Sequence, residues 1–260
     1  MSTLLQSCAD ALWQARATRT PIPPLRGWLA PDELANAYAV QALLAQRRLS
    51  EGAQRVGRKI GLTSAVVQKQ LGVAQPDFGV LFDGMRHQGA RVVLPVAPFI
   101  QPKIEGEIAF IVARDIPESS LPRAELLRRA GQAVAVFEIV DCAIADWKIT
   151  LADTVADNAS CGAFVLGTDP RPLTGFDARL AGMAMSENGQ IVSLGVGAAS
   201  LGDPLNAFAW LADKAVALGD PLRAGEVVLT GALGPMVPFV RGRRYRLEIA
   251  GFEPLEVCGE

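Results

Sequence analysis

Two glutamates placed two residues apart open the chemistry of this chain. They lie in Pro102-Lys103-Ile104-Glu105-Gly106-Glu107-Ile108-Ala109-Phe110-Ile111-Val112. A strand puts Glu105 and Glu107 on one face, because successive side chains alternate. A solvated face accounts for the same spacing, with Lys103, Glu105 and Glu107 alternating against Ile104 and Ile108. Beyond Glu107 the run is apolar on both faces, so the strand enters a core. Two like charges at the mouth of a core repel unless a cation joins them. A second run, Ala133-Val134-Ala135-Val136-Phe137-Glu138-Ile139-Val140-Asp141, reads as a buried strand interrupted by one carboxylate. An ionised Glu138 needs a partner there: a divalent cation shared with Glu105 and Glu107, or a salt bridge to an Arg or Lys. Three carboxylates make an all-oxygen ligand set, which suits Mg2+ or Mn2+ better than zinc.

The elements that must position these groups are mostly strands. β-branched runs punctuated by Gly and Pro predict strands at Arg55–Ile60, Ile104–Ala113, Ala133–Asp141, Ala163–Leu166, Arg179–Glu187, Ile191–Gly195, Val227–Thr230 and Arg244–Ile249. Asn188-Gly189 is a type I′ hairpin signal between two of them. Helices are expected at Leu4–Ala17, from about Pro31 to just before Gly52, at Leu121–Ala130 and at Leu205–Leu218. Asp203-Pro204 forms the N-cap and first-turn pair of the last helix. Strands outnumber helices and β-α-β alternation is absent. The expected class is α+β, a β-rich core of mixed or antiparallel sheets, with residues 1–52 a helical annex and 53–260 the catalytic core.

Composition narrows the function. The 260 residues are half hydrophobic, and 25 basic against 27 acidic residues leave a net charge of −2. That balance gives no footprint for nucleic acid and no polybasic address for a membrane. Cys8, Cys142, Cys161 and Cys258 lack CxxC spacing, which argues against a zinc knuckle or a disulfide scaffold. The first residues lack the pattern of a signal peptide and no apolar run is long enough to span a bilayer, so a cytoplasmic protein is expected. Gly195-Val196-Gly197-Ala198-Ala199-Ser200 only partly mimics a dinucleotide fingerprint. Cys161 as a nucleophile has no nearby base in sequence.

Several segments in one order resemble the hydratase/decarboxylase branch of the fumarylacetoacetate hydrolase superfamily. They are Lys59-Ile60-Gly61-Leu62-Thr63-Ser64, Pro76-Asp77-Phe78-Gly79, Ile104–Phe110, Phe137–Asp141, Val155-Ala156-Asp157-Asn158-Ala159-Ser160, Leu201-Gly202-Asp203-Pro204-Leu205 and Ala209-Trp210-Leu211-Ala212. Asp146-Trp147 and Asp153–Gly162 look more like the hydratase side of the branch.

The resemblance implies the fold of the hydrolase C-terminal domain, with Glu105, Glu107 and Glu138 as metal ligands. It implies Lys59 and Asp77 as an acid/base pair and Ser160 lining the substrate site, with Asn158 beside it. The implied activity is hydration of 2-hydroxypenta-2,4-dienoate to 4-hydroxy-2-oxopentanoate, a step in meta-cleavage breakdown of aromatic compounds. Decarboxylation of 2-oxohex-3-enedioate is the alternative, and a non-catalytic partner subunit is a third reading. A homo-oligomer, associated with a neighbouring pathway enzyme, is also implied.

The residues themselves leave plainer accounts open. Lys59 sits beside Arg58 and is compatible with exposure, although Gly57 and Gly61 on either side suggest close backbone approach. Asp77 after Pro76 is equally a turn residue. The turn Thr230-Gly231-Ala232-Leu233-Gly234-Pro235 offers N–H groups to a substrate carboxylate, or is an ordinary tight turn. Hydrolytic relatives use a His with a carboxylate to activate water; the one His here, His87, lies in a predicted loop outside every motif.

Overall fold

The computed structural model describes residues 3–65, 68–69 and 73–260. Two helices open the chain, α1 (Thr3–Thr18) and α2 (Leu34–Ser50). Four strands follow: β1 (Arg55–Gly61), β2 (Asp77–Phe82), β3 (Arg86–Gln88) and β4 (Arg91–Leu94). Then come β5 (Lys103–Ile111), α3 (Arg123–Ala130), β6 (Gln132–Val140), α4 (Leu151–Ala156) and β7 (Cys161–Leu166). The remainder is β8 (Arg171–Pro172), β9 (Gly182–Glu187), β10 (Gln190–Val196), α5 (Pro204–Ala217), β11 (Val227–Ala232), β12 (Val237–Pro238), β13 (Arg244–Ile249) and β14 (Leu255–Gly259).

The larger sheet runs β2-β1-β11-β5-β6-β7-β3, with β12 added to β5 and β8 to β6; the smaller runs β10-β9-β13-β14-β4. The β1–β11, β3–β7 and β4–β14 pairs are parallel and the rest antiparallel. The expected mixed, β-rich α+β architecture is therefore present. One face of the large sheet packs Ile104, Ile108, Phe110, Phe137 and Ile139 against α5 residues such as Phe208 and Leu211 and small-sheet residues such as Tyr245 and Leu247. The other face carries Ala109, Val134, Val136, Leu229 and Leu81 in a separate apolar cluster, in line with the glutamates.

The N-terminal helices are stitched to the sheet by more than apolar packing. Cys8, Leu12 and Ala15 of α1 pack with Ala37 and Val40 of α2 around α4. Buried Gln41 of α2 donates to the carbonyls of Phe78 and Val155, each at 2.9 Å. No helix among the described residues is long and apolar enough to cross a membrane.

Several local expectations shift. The second helix begins at Leu34, because Glu33 Oε2 accepts the Ala30 N–H at 2.8 Å and holds the preceding residues in a turn. The third begins at Arg123, after Pro122. The predicted strand at Arg179 starts three residues later, since Asp177 Oδ1 accepts the N–H groups of Arg179 and Leu180 and closes a turn there. His87 lies in β3, paired with Val165, not in a loop. Asn188 and Gly189 have φ of 49° and 85°, as a type I′ turn demands.

Gly57 shows how tightly β1 sits on β11. A Cβ added there would run into the backbone of Val227, which cannot move aside as a flexible side chain would. Gly57→Ala is expected to cost about 2–3 kcal/mol, within the range of core overpacking, measured as a lowered urea midpoint. An unchanged midpoint would show that the β1–β11 contact is looser than this geometry.

Candidate metal centre and its surroundings

Glu105 and Glu138 are direct cross-strand partners on the antiparallel β5–β6 pair, and Glu107 follows on the same face. Each offers a carboxylate oxygen such that all three lie within 4.8 Å of one another. Like charges opposite each other destabilise a sheet, and here they are also removed from water: Glu107 and Glu138 are fully buried and Glu105 is 9% exposed. Glu107 Oε1 and both Glu138 oxygens have no hydrogen-bond donor. Unused, convergent carboxylate oxygens fit a hard divalent cation.

The fold converges on this cluster in two ways. First, β11 carries a bulge against β5, since Leu229 pairs with Ala109 while Ala232 pairs with Glu107. The extra residue lies between those pairs, where Gly231 adopts a φ of +102°. The bulge turns the Gly231 N–H onto Glu107 Oε2 at 2.8 Å. The donor that the sequence offered to a substrate carboxylate thus orients a candidate ligand. Thr230 is fully buried, donates to the Ile108 carbonyl and accepts from Ser200 Oγ, so its groups also serve the backbone.

Second, the sheet curls. Lys59 lies three strands from Glu138, about 14 Å away in a flat sheet, yet Lys59 Nζ is 3.1 Å from Glu138 Oε1. That contact lacks hydrogen-bond angles, and Nζ donates instead to the Ala159 carbonyl at 2.9 Å. Glu138 therefore has the Lys partner that its sequence context also allowed, while keeping both oxygens free of hydrogen bonds. Lys59 is not exposed; it is 3% accessible.

Of the remaining candidates, Asp77 lies beside Lys59. Asp77 opens β2 opposite Gly61; its Oδ2 accepts from Thr154 Oγ1 at 3.2 Å, and its Oδ1 has no hydrogen-bond partner. A Cβ on Gly61 would strike Asp77 Oδ1 and come within 3.5 Å of Lys59 Nζ, so the missing side chain leaves room where the two groups meet. Ser160 Oγ is buried and unpartnered. Asn158 is arranged differently: its amide accepts the Val80 N–H at 2.8 Å and donates to the Val80 carbonyl at 2.9 Å. The structure places it as a clasp on β2.

Asn158, Ala159 and Ser160 have φ of 56°, 51° and 53°. Left-handed backbone costs about 1–2 kcal/mol per residue for side-chain-bearing residues, so something must hold this run. The residue that does so was not singled out in the sequence. Arg16 of α1 donates to Asp157 Oδ1 from Nη2 at 2.7 Å, and to the Asp141 carboxylate and carbonyl at 3.1 and 2.9 Å. Asp157 in turn accepts the Ala143 N–H, and Asp141 accepts those of Ile100 and Gln101. One guanidinium therefore joins the segment after Glu138 to the segment presenting Ala159 to Lys59.

Burial dominates the proton affinities. It pushes Glu105 up to about 7, with Glu138 adding to the rise and Lys59 and Lys103 tempering it. Burial and the neighbouring glutamates push Glu107 well above the carboxylate range, and burial raises Glu138 and Asp77 despite Lys59. For Lys59 burial favours the neutral amine, but Glu138, Asp77 and Glu105 outweigh it and hold the ammonium above the usual lysine range. Burial and Glu138 push the Cys161 thiol up, the opposite of an activated nucleophile.

The family description "Fumarylacetoacetate (FAA) hydrolase C-terminal" matches residues 63–258. The chain is 48% identical over 246 residues to a 2-keto-4-pentenoate hydratase of Paraburkholderia xenovorans (strain LB400), covering 95% of this chain and 91% of the relative. It is 42% identical over 251 residues to a 2-hydroxyhexa-2,4-dienoate hydratase of Comamonas testosteroni, covering 95% and 94%. Among solved structures, 4-oxalocrotonate decarboxylase from Pseudomonas putida G7, complexed with magnesium and adipate, superposes with a TM-score of 0.92 at 28% identity over 99% of this chain and 97% of that one.

Two outcomes test the site. Without metal, the raised glutamates bind more protons folded than unfolded between their ordinary 4.5 and about 7. Metal-free stability then falls as pH rises through that window, and a bound cation removes the loss. The melting-temperature gap between Mg2+-loaded and metal-free protein should widen from pH 4.5 to 7; a constant gap would mean that no proton is displaced. Separately, Arg16→Met strands two buried aspartates, at a cost of about 3 kcal/mol in chemical denaturation. A loss below about 0.5 kcal/mol, as at an ordinary surface site, would remove the clasp from this account.

Proposed function

The chain belongs to the fumarylacetoacetate hydrolase family, and on that premise we propose that it hydrates 2-hydroxypenta-2,4-dienoate, the enol of 2-oxopent-4-enoate, to 4-hydroxy-2-oxopentanoate. It is a hydro-lyase that uses a divalent metal; we take Mg2+ or Mn2+ as that metal, on the all-oxygen donor set. The observation that carries the reading is the buried, donor-poor cluster of Glu105, Glu107 and Glu138 facing Lys59. The identity to dienoate hydratases exceeds that to the decarboxylase, which favours hydration over loss of CO2.

We assign Glu105, Glu107 and Glu138 to hold the ion, with the Gly231 N–H fixing one Glu107 oxygen. When bound, the ion supplies Lewis-acid stabilisation of negative charge on substrate oxygen. The proton movements fall to the chain. The reaction takes a proton from the 2-hydroxyl and gives one to C5, leaving an α,β-unsaturated ketone; water then adds its oxygen at C4 and a proton arrives at C3. Each half pairs one acceptor with one donor. Asp77 Oδ1, buried and without a hydrogen-bond partner, is the acceptor, and burial raises its basicity. Lys59 Nζ, charged and aimed by the Ala159 carbonyl, is the donor of this first half. In the second half the roles exchange, the neutral amine taking the proton of the added water and the Asp77 carboxyl giving one to C3, which restores both groups. Both border the space left by Gly61. We assign Ser160 Oγ, unpartnered and buried, to bind the added water. His87 has no part in this set, which agrees with hydration and not hydrolysis.

We extend the reading to a homo-oligomer, in keeping with Ile191 and Leu194 standing exposed on the edge strand β10.

The test is loss of the dienoate ultraviolet band on adding metal-stripped protein with and without Mg2+ or Mn2+, alongside CO2 release from 2-oxohex-3-enedioate. Metal-dependent loss of the band with 4-hydroxy-2-oxopentanoate appearing is expected. CO2 release without dienoate hydration would replace the hydratase by the decarboxylase, and silence on both substrates with metal bound would overturn the choice of substrate.

A further inference from the structure

The carboxylate cluster creates an electrostatic problem for an anionic substrate. Three ionised glutamates, a divalent ion and the Lys59 ammonium balance to neutrality, and an ionised Asp77 makes the set net negative. The net charge of that group gives no long-range pull on the carboxylate of a dienoate.

One more cation stands on the same face of the same strand. Lys103 precedes Glu105 by two residues on β5, so both side chains leave the sheet on one side. Lys103 is half-buried, and no carboxylate among the described residues pairs with it. Its ammonium lies 4.3 Å from the centroid of the Trp147 ring. An aromatic face holds an ammonium by its quadrupole without cancelling the charge, as a carboxylate would.

The ring is itself a built support. Trp147 Nε1–H donates to the Gln101 carbonyl at 3.1 Å, and the Asp146 N–H donates to Gln101 Oε1 at 2.9 Å. Gln101 Nε2 donates to the carbonyls of Cys142 and Ile144 at 2.9 and 2.8 Å. Asp146 and Trp147 are held at φ of 59° and 56°, strained backbone of the kind that collects at ligand sites. The Asp146 carboxylate, the nearest acid in sequence, is paired with Lys148 at 2.9 Å. A strained turn, four hydrogen bonds and an indole thus keep one ammonium free of a salt bridge beside the cluster.

We propose that Lys103, held on the Trp147 ring at the rim of the carboxylate cluster, anchors the carboxylate of the substrate. The assignment rests on the dienoate reading, because it needs a substrate with a carboxylate next to a 2-oxygen.

Pyruvate carries that pair of groups and separates the two claims, since its binding needs no turnover. With Mg2+-loaded protein in calorimetry, Lys103→Met should weaken pyruvate binding about ten-fold, the worth of one charge-assisted hydrogen bond, whereas Lys103→Arg should retain most of it. Binding of methyl pyruvate, which lacks the charge, should be equal in wild type and Lys103→Met. The Mg2+ affinity should not fall in Lys103→Met, which removes a positive charge beside the carboxylates, and should stay unchanged in Lys103→Arg. In turnover the loss should fall on KM, with kcat within about two-fold, and kcat/KM should lose part of its dependence on ionic strength. Trp147→Phe keeps an aromatic plate and should stay near wild type, and Trp147→Leu should follow Lys103→Met. Equal pyruvate affinity in wild type and Lys103→Met, an equal loss for methyl pyruvate, or no pyruvate binding by wild type would each overturn the proposal. Pyruvate binding that depends on Lys103 in a protein that leaves the dienoate untouched would uphold the anchor and reject the hydratase reading.

Discussion

Mutual repulsion among three buried carboxylates is the constraint on which the rest of the structure depends. Glu105 and Glu138 face each other across one strand pair, and Glu107 adds a third charge on the same face. Without compensation, such a cluster would take up protons or open to water. The fold instead brings positive charge and donors to it from elements far apart in sequence. The sheet curls until Lys59 reaches Glu138, and a bulge in β11 turns the Gly231 N–H onto Glu107. What these groups leave unanswered, the free oxygens of Glu107 and Glu138, is the space for a cation.

A second layer of charge holds the first in place. Lys59 is aimed by the Ala159 carbonyl, which is presented by three successive residues in left-handed backbone. That conformation persists because Asp157, just before it, is fixed by Arg16 and by the Ala143 N–H. The N-terminal helix therefore acts as more than a cover over apolar surface. Its Arg16 pairs with Asp141 and Asp157 at once and so couples the residue just after β6, three from Glu138, to the turn that orients the lysine.

The chemistry was legible in the sequence where it followed local rules. Strand parity put Glu105 with Glu107, and an acid inside an apolar run marked Glu138. Glycines on both sides of Lys59 announced close approach, which Gly57 against Val227 and Gly61 against Asp77 bear out. What escaped notice had no local signature. β2 was hidden because Asp77 after Pro76 read equally as a turn residue; in the structure Gly79 lies so close to the Asn158 carbonyl that a Cβ would clash. α4 is buried on every side, so it shows no amphipathic stripe. The Arg16 clasp spans 125 and 141 residues, and no periodicity reports a contact of that range. Gly231 was legible as a donor, but the bulge that chose its acceptor depends on how β11 registers against β5.

The same accounting explains why hydration needs no histidine in this protein. A hydrolytic site must generate a strong nucleophile from water, and a His–carboxylate pair does so near neutral pH. Addition of water to an activated double bond asks less of the nucleophile and more of the acid and base that move protons between oxygen and carbon. A lysine held charged by surrounding carboxylates and an aspartate made more basic by burial keep the order of proton affinity that the two groups have in water, with both raised. The carboxylate cluster supplies much of the charge that holds the lysine protonated. The glutamates that suit a cation also keep Lys59 protonated, so the affinity for metal and the acid we propose for the reaction have one physical origin.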